Sequence, residues 1–342
     1  MSNDSNDRVL TIAEALREGI AEELRRDEKV FCIGEDIGIP GGWGGAFTVT
    51  FGLEEEFPER IINTPISEAA IFGAALGAGV TGLIPIADVQ YGDFLFCAMD
   101  QVVNEISMMR YMSGGEIKVP VVMRAPVGDS NRGAQHAHSM ESFFINVPGI
   151  KIVCPSNAYD AKGMLKSAVR DGNPVMIFEH KLLYGSKGAR AEKGSVDASR
   201  YIPVEDYTVP LDKAAVAREG NDISIFSTHL MFYRSLAAAE VLEAEGISCE
   251  VVDLRCLSPL DRDTIFSSLK KTGRALVVEE SPLHGGWGGE VAATIAEEAY
   301  DLLKGPVKRV AAPNTPTPFS PVMDNFYVPS TEKIAQAVRD MM

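Results

Sequence analysis

The sequence lacks most of the patterns that announce a self-contained enzyme. It has no G-x-S-x-G elbow, no H-E-x-x-H and no Walker loop, so serine-elbow hydrolysis, zincin chemistry and P-loop phosphoryl transfer find no support. Histidine is scarce, with five in the chain, and the five cysteines (Cys32, Cys97, Cys154, Cys249, Cys256) contain no C-x-x-C pair. An odd, scattered set argues against a disulfide framework or a zinc site and for a reducing compartment. No long basic run offsets a net charge of −16, which excludes phosphate-backbone binding and so a nucleic-acid partner. The first seven residues have neither the apolar core of a secretion signal nor the Arg-rich character of a transit peptide, and a cytoplasmic location is expected. Residues 69–87 carry no charge, but Gly73, Gly77, Gly79, Gly82 and Pro85 punctuate them. That pattern predicts a buried helix over 68–79 and a strand over 83–89, not a membrane span. Gly73 and Gly77 share a helix face almost without side chains, where another helix can approach closely.

What is present is an alternation of helical and β-rich segments. Helices are expected at 11–25, 68–79, 101–112 and 159–170, with strands at 30–34, 83–89, 119–124, 150–154 and 175–179. A second series follows, with strands at 223–227, 249–254, 275–279 and 307–311. Its helices are expected at 232–245, 261–271, 290–303 and 331–342. Strands alternating with helices predict an α/β class with two parallel-sheet α/β domains, here 8–184 and 213–342, joined by a linker over 185–212. The four prolines at 313, 316, 318 and 321 predict extended chain before the last helix. The repeated Gly-Gly-Trp-Gly-Gly, at 41–45 and 285–289, reads as flexible surface turns.

Two segments carry candidate chemistry. Glu68 heads a very apolar helix. It is either a first-turn glutamate stabilised by the helix dipole or a specially solvated, paired carboxylate. The polar loop 128–139 holds His136 and His138; it is either a solvated surface loop or a reactive loop at a strand end. A metal reading of the two histidines lacks a third ligand.

The run TPISEAAIFGAALGAGVTGLIPIADVQYGDF, with DQVVNE, RYMSGG, AQH, FFINVPGIKIVCPSNAYDAKGMLKSAVRDGNPVMIFEHKLLYG and CEVVDLRCLSPLD, extends this reading. It resembles the beta subunits of pyruvate, branched-chain 2-oxo acid and acetoin dehydrogenases. The resemblance implies a pyrimidine-binding domain followed by a transketolase-type C-terminal domain. It also implies thiamine diphosphate held between alpha and beta subunits of an alpha2-beta2 heterotetramer, and acyl transfer to a lipoyl-bearing acyltransferase. Glu68 falls on the family glutamate that bonds ring nitrogen N1′ of the aminopyrimidine and promotes loss of the thiazolium C2 proton. Phe94, Gln90 and Ile66 match its neighbours, and His136 the histidine near the thiazolium and the lipoyl group. Val121, Ala168, Val169, Asp171 and Asn173 match a potassium site of some relatives. Ala137-His138 departs from the Ser-Gln common there. The diphosphate–magnesium motif, Gly-Asp-Gly followed by paired asparagines, is absent, as expected if the alpha subunit supplies it.

On this reading the chain is an oxidoreductase subunit active only with its alpha partner, and alone it binds thiamine diphosphate weakly or not at all. HKLLY and TPTPFS lean towards acetoin and pyruvate types, MESFF towards branched-chain types. Two alternatives remain: the C-terminal half of a split transketolase, and a non-catalytic assembly subunit that keeps the fold alone.

Overall fold

The computed structural model describes residues 8–130, 132–185 and 193–342. The chain divides into two compact units, 1–127 with 146–211, and 128–145 with 212–342. The first unit holds β1 (Val9–Leu10), α1 (Ile12–Arg26), β2 (Val30–Glu35), α2 (Leu53–Glu56), β3 (Ile61–Thr64), α3 (Glu68–Val80) and β4 (Ile84–Asp88). It continues with α4 (Met109–Met112) and β5 (Val122–Val127). After α5 (Glu141–Phe144), which belongs to the second unit, come β6 (Lys151–Val153), α6 (Ala158–Asp171), β7 (Val175–His180) and β8 (Arg200–Tyr201).

Its strands run β6-β7-β5-β4-β2-β3 and all pair in parallel. β5 and β7 are buried at every position, as expected of a sheet covered on both faces. Helix α1 begins with a capping box, Thr11 accepting from the Glu14 amide while the Glu14 side chain accepts from the Thr11 amide. It packs on α6 through buried cations: Lys162 reaches Glu18 and Glu22, each at 2.6 Å, and Lys166 also pairs with Glu22.

In the second unit α5 is followed by β9 (Ala215–Arg218), β10 (Ile223–Ser227), α7 (His229–Glu243), β11 (Cys249–Asp253), β12 (Cys256–Ser258) and α8 (Arg262–Thr272). Then come β13 (Ala275–Pro282), α9 (Gly288–Glu298), β14 (Lys308–Ala312), α10 (Pro321–Tyr327) and α11 (Thr331–Arg339). The sheet order is β14-β13-β10-β11-β9, parallel except for β9.

Four expectations need correction. The helix expected over 101–112 is broken into a wide-turn segment, Asp100–Ile106, and the short α4. Ser107 disturbs the ladder there, its hydroxyl donating to the Val103 carbonyl at 2.6 Å and its amide to Val102. The proline-rich segment is not wholly extended, since Pro321 occupies the first turn of α10, where a missing N–H is harmless. The segment 185–212 contains β8, which pairs antiparallel with β1; residues 186–192 lie outside the described part. Helix α3 is buried on one side only: Ala70, Ala74 and Gly77 are exposed, and a Cβ at Gly77 would meet nothing within 4 Å.

Gly77, Gly79 and Gly82 fit Gly-x-Gly-x-x-Gly, but at the end of a helix that leads into a strand. That reverses the strand-to-helix order a dinucleotide site requires. All five cysteines are free thiols, four of them buried. Among the described residues no helix is long and apolar enough to cross a membrane.

Candidate active-site rim

In the first unit the carboxyl ends of parallel strands gather Glu35 at the end of β2, Thr64 at the end of β3, and Gln90 just beyond β4. Ligands of open α/β sheets bind at this edge. Glu68 opens α3 four residues after Thr64, so its carboxylate stands in the first turn, where the helix dipole favours negative charge. Ile66 is 77% exposed, an apolar side chain held out ahead of the helix. Phe94, on the turn Gly92–Ala98, is half-buried beside the same strand end. Thr64 Oγ1 is shielded from solvent and has no hydrogen-bond partner among the described residues.

Glu35 was not legible as a site residue in the sequence. Burial first, and then the nearby carboxylates Glu68, Asp36 and Asp88, push its carboxyl up to about 7. Two acids thus share the rim, and one of them holds a proton near neutrality. Gln90 is firmly engaged: its amide nitrogen donates to Asp88 at 3.1 Å and to the Glu35 carbonyl at 3.3 Å, and its oxygen accepts from the Ala46 amide at 2.5 Å. It therefore braces the rim. Beneath it Arg124, fully buried, spans Asp88 at 2.5 Å and Glu179 at 2.6 and 2.8 Å, and the Tyr184 hydroxyl donates to Glu179. A buried arginine bound to carboxylates on β4 and β7 locks the two strands at the site edge.

The five residues matched to a cation site lie at and beside the end of α6. Ala168, Val169 and Asp171 are in its last turn, where carbonyls have no helical partner. The side chains of Asp171 and Asn173 are not open donors, however. Lys151 holds Asp171 at 2.5 Å, Arg110 bonds the Asn173 amide oxygen, and Asn173 donates to Asp171 at 2.6 Å. The Val121 carbonyl accepts from the Val175 amide at 3.0 Å. Backbone carbonyls, not a carboxylate and an amide, are what this corner offers a monovalent ion.

The histidine loop belongs to the second unit. Glu280 accepts from the Asp129 amide at 2.6 Å, Ser142 Oγ accepts from the Trp287 amide at 2.9 Å, and the Gly128 amide closes the loop on the His138 carbonyl at 3.1 Å. His136 ends a single turn, Ala134–His136, entered through Gly133 at φ +100°, and is half-buried. Asn131 lies outside the described residues. His138 is no solvated loop residue. It is half-buried and lines a cavity of about 250 Å³ with Ser139, Ser142, Glu280 and His284.

Residues 8–187 match the transketolase pyrimidine-binding domain and residues 212–334 the transketolase C-terminal domain. The chain is 41% identical to the beta subunit of acetoin:2,6-dichlorophenolindophenol oxidoreductase of Bacillus subtilis (strain 168), over 98% of each chain. It is 42% identical to the 2-oxoisovalerate dehydrogenase subunit beta of the same organism, over 97% of this chain and 98% of that one. Identity to its pyruvate dehydrogenase E1 component subunit beta is 43%, with the same coverage. Among solved structures, a split gene transketolase described as an inactive beta4 tetramer superposes with a TM-score of 0.76 at 25% identity, over 97% of each chain. With both domains matched in order and relatives aligned end to end, the chain belongs to the transketolase-like family of 2-oxo acid and acetoin dehydrogenase beta subunits.

Proposed function

We propose that this chain is the beta half of a thiamine-diphosphate-dependent enzyme that decarboxylates a 2-oxo acid or cleaves acetoin and passes the acyl group to a lipoyl domain. The observation that carries the reading is the rim itself: Glu68 at the head of α3, with Glu35 beside it raised to about 7. The residues fit the pyrimidine half of the cofactor. An exposed apolar Ile66, an aromatic Phe94, a carboxylate and a buried hydroxyl without a partner suit a flat, amphipathic heterocycle. When bound, thiamine diphosphate supplies a carbon nucleophile and an electron sink. Glu68 would hold a proton against the ring nitrogen, Phe94 and Ile66 would fix the ring plane, and Gln90 would keep Glu35 in place.

His136 is the group we assign to proton delivery at a lipoyl sulfur, since imidazole is suited to exchange protons near neutral pH. The diphosphate and its magnesium fall to an alpha subunit. The exposed small-residue face of α3, at Ala70, Ala74 and Gly77, is the surface we assign to that partner in an alpha2-beta2 assembly. A potassium ion would be held by carbonyls at the end of α6, where the helix dipole favours a cation. We place the enzyme in the cytoplasm. The split gene transketolase supports a second reading, as half of a transketolase, but its 25% identity stands well below the 41–43% of the dehydrogenase subunits.

The test is the co-produced alpha–beta pair, assayed with pyruvate, branched-chain 2-oxo acids and acetoin against an artificial electron acceptor. Turnover of one of these is expected, and turnover of sugar phosphates alone would transfer the chain to the second reading. Glu68→Gln in that pair should lose ~10²–10⁴-fold in activity and slow C2 proton exchange, followed by NMR, to a similar degree. Exchange at the wild-type rate would remove Glu68 from this role.

A further inference from the structure

The chain has 48 acidic side chains and 32 lysines and arginines, so its cations have carboxylates in excess to choose from. Many take them: Arg25 pairs with Glu56, Arg170 with Glu23 and Asp206, Arg262 with Glu298, Arg339 with Glu245. Arg309 and Lys333 do not. Among the described residues neither forms an ion pair, yet both face one cavity of about 580 Å³ in the second unit, which no carboxylate lines. Arg309 projects from β14 and is oriented by the Leu283 carbonyl, to which Nη1 donates at 3.0 Å. Lys333, in the first turn of α11, donates to the Phe326 carbonyl and lies 4.7 Å above the Phe326 ring. His284 and Asn314 complete the polar wall, while Phe326 and Leu283 are apolar.

The carboxyl whose charge acts on Arg309, Glu279, does not neutralise it. Burial holds Glu279 up to about 8, so it remains protonated near neutral pH and offers Arg309 no counter-charge. In a molecule of net charge −16, two oriented cations facing a carboxylate-free cavity select an anion. A carboxylate would engage one of them. A phosphate presents oxygens enough for the arginine fork, the ammonium, the imidazole and the amide together. The cavity lies in the size range of small-molecule sites, well above what inorganic phosphate fills, and Phe326 offers a ring to stack on.

We propose that this cavity binds a phosphorylated molecule carrying a planar ring, of the nucleoside-phosphate class, with Arg309 and Lys333 on the phosphate and Phe326 under the ring. The proposal does not rest on the dehydrogenase reading, because every residue in it lies outside the rim of the first unit. Calorimetry on the full chain with ADP, inorganic phosphate and adenosine tests it. One ADP per chain is expected, with inorganic phosphate at least about tenfold weaker and adenosine weaker still. Arg309→Gln and Lys333→Gln should each weaken ADP by about tenfold, with melting temperatures close to that of the unaltered chain, and added salt should weaken it further. Absence of ADP binding, or unchanged affinity in Lys333→Gln, overturns the proposal. So does competition between ADP and thiamine diphosphate for one site in the co-produced alpha–beta pair, which would put the nucleotide on the rim instead. Equal affinity for phosphate and ADP would remove the ring-binding half and overturn the ligand class.

Discussion

The pentapeptide Gly-Gly-Trp-Gly-Gly stands at 41–45 in the first unit and at 285–289 in the second, and its tryptophan is 66% exposed in one and 3% exposed in the other. In the first copy the glycines serve a tight turn. Gly44, at φ +67°, lies so close to the following chain that a Cβ would fall 1.9 Å from the Phe51 amide nitrogen. A Cβ on Gly45 would strike the Gln90 amide at 2.6 Å, so this turn presses on the brace of the rim. In the second copy the glycines wrap a carboxyl. Cβ atoms on Gly286 and Gly288 would fall 2.5 and 2.6 Å from Glu279 oxygens, and the Gly288 amide donates to Glu279 at 3.1 Å as α9 begins. Five identical residues specify close approach in both places. What they approach, and where the tryptophan goes, is decided by β13 and α9 in one unit and by the chain after Thr48 in the other.

The comparison is broken most sharply at Gly44. Gly44→Ala should cost more than about 4 kcal/mol in urea unfolding, because left-handed strain adds to overlap with backbone that cannot move aside. Gly41→Ala has the same strained backbone, φ +66°, but nothing within 4 Å, and should cost only ~1–2 kcal/mol. Equal losses would mean the turn relaxes and the overlap is not binding. Next in size, Trp287→Ala should cost ~3–5 kcal/mol, as for a large aromatic removed from a packed interior.

A smaller effect separates the second copy by pH. Glu279 is held up to about 8 by burial, above its ordinary carboxylate range, with the Gly288 amide and Arg309 opposing the shift and Glu141 adding to it. The folded chain keeps this proton where the unfolded chain has lost it. Its stabilising contribution is therefore complete below the unfolded value near 4.5 and is lost as pH rises through 8. Glu279→Gln should flatten the fall in stability between pH 5 and 8, gaining on the unaltered chain on the order of a few kcal/mol across that window. A parallel pair of stability–pH curves would show that Glu279 ionises freely and that the loop does not hold its proton.

Much of the architecture was readable because parallel strands such as β5 and β7 are buried on both faces and appear as unbroken apolar runs. The short strands β3, β9 and β12 escaped notice. β3 has two exposed positions in four, and β9 is exposed or half-buried along its length, so neither carries the signature of a core strand. Glu68 was visible since a lone acid heading an apolar helix is locally anomalous. Glu35 was not, because it ends a strand like any surface glutamate and acquires meaning only from Glu68, which folding brings beside it. Arg124 lay hidden among the apolar residues of β5 for the same reason: its partners Asp88 and Glu179 are 36 and 55 positions away in the chain. The two glycine loops were misread as flexible turns because a glycine that admits a neighbour and a glycine that bends freely look alike in one dimension.

The smallest stability effect is expected at Trp43, and it sharpens the comparison most. Removing a side chain that is 66% exposed forfeits little buried surface, so Trp43→Ala should change the stability of the isolated chain by no more than ~0.5 kcal/mol. A tryptophan so placed is nonetheless a large apolar area beside the turn that touches Gln90, and aromatics of this kind anchor subunit contacts when a partner covers them. If the alpha subunit closes over the rim, Trp43→Ala should weaken the alpha–beta pair by about tenfold or more, read as a shift in the concentration at which the complex dissociates. Trp287→Ala, corrected for its lower stability, should leave that dissociation unchanged, because Trp287 is already buried within the chain. An assembly indifferent to Trp43 would mean that the partner approaches by the α3 face alone, and the exposed copy of the pentapeptide would then serve only to hold Gln90 in place.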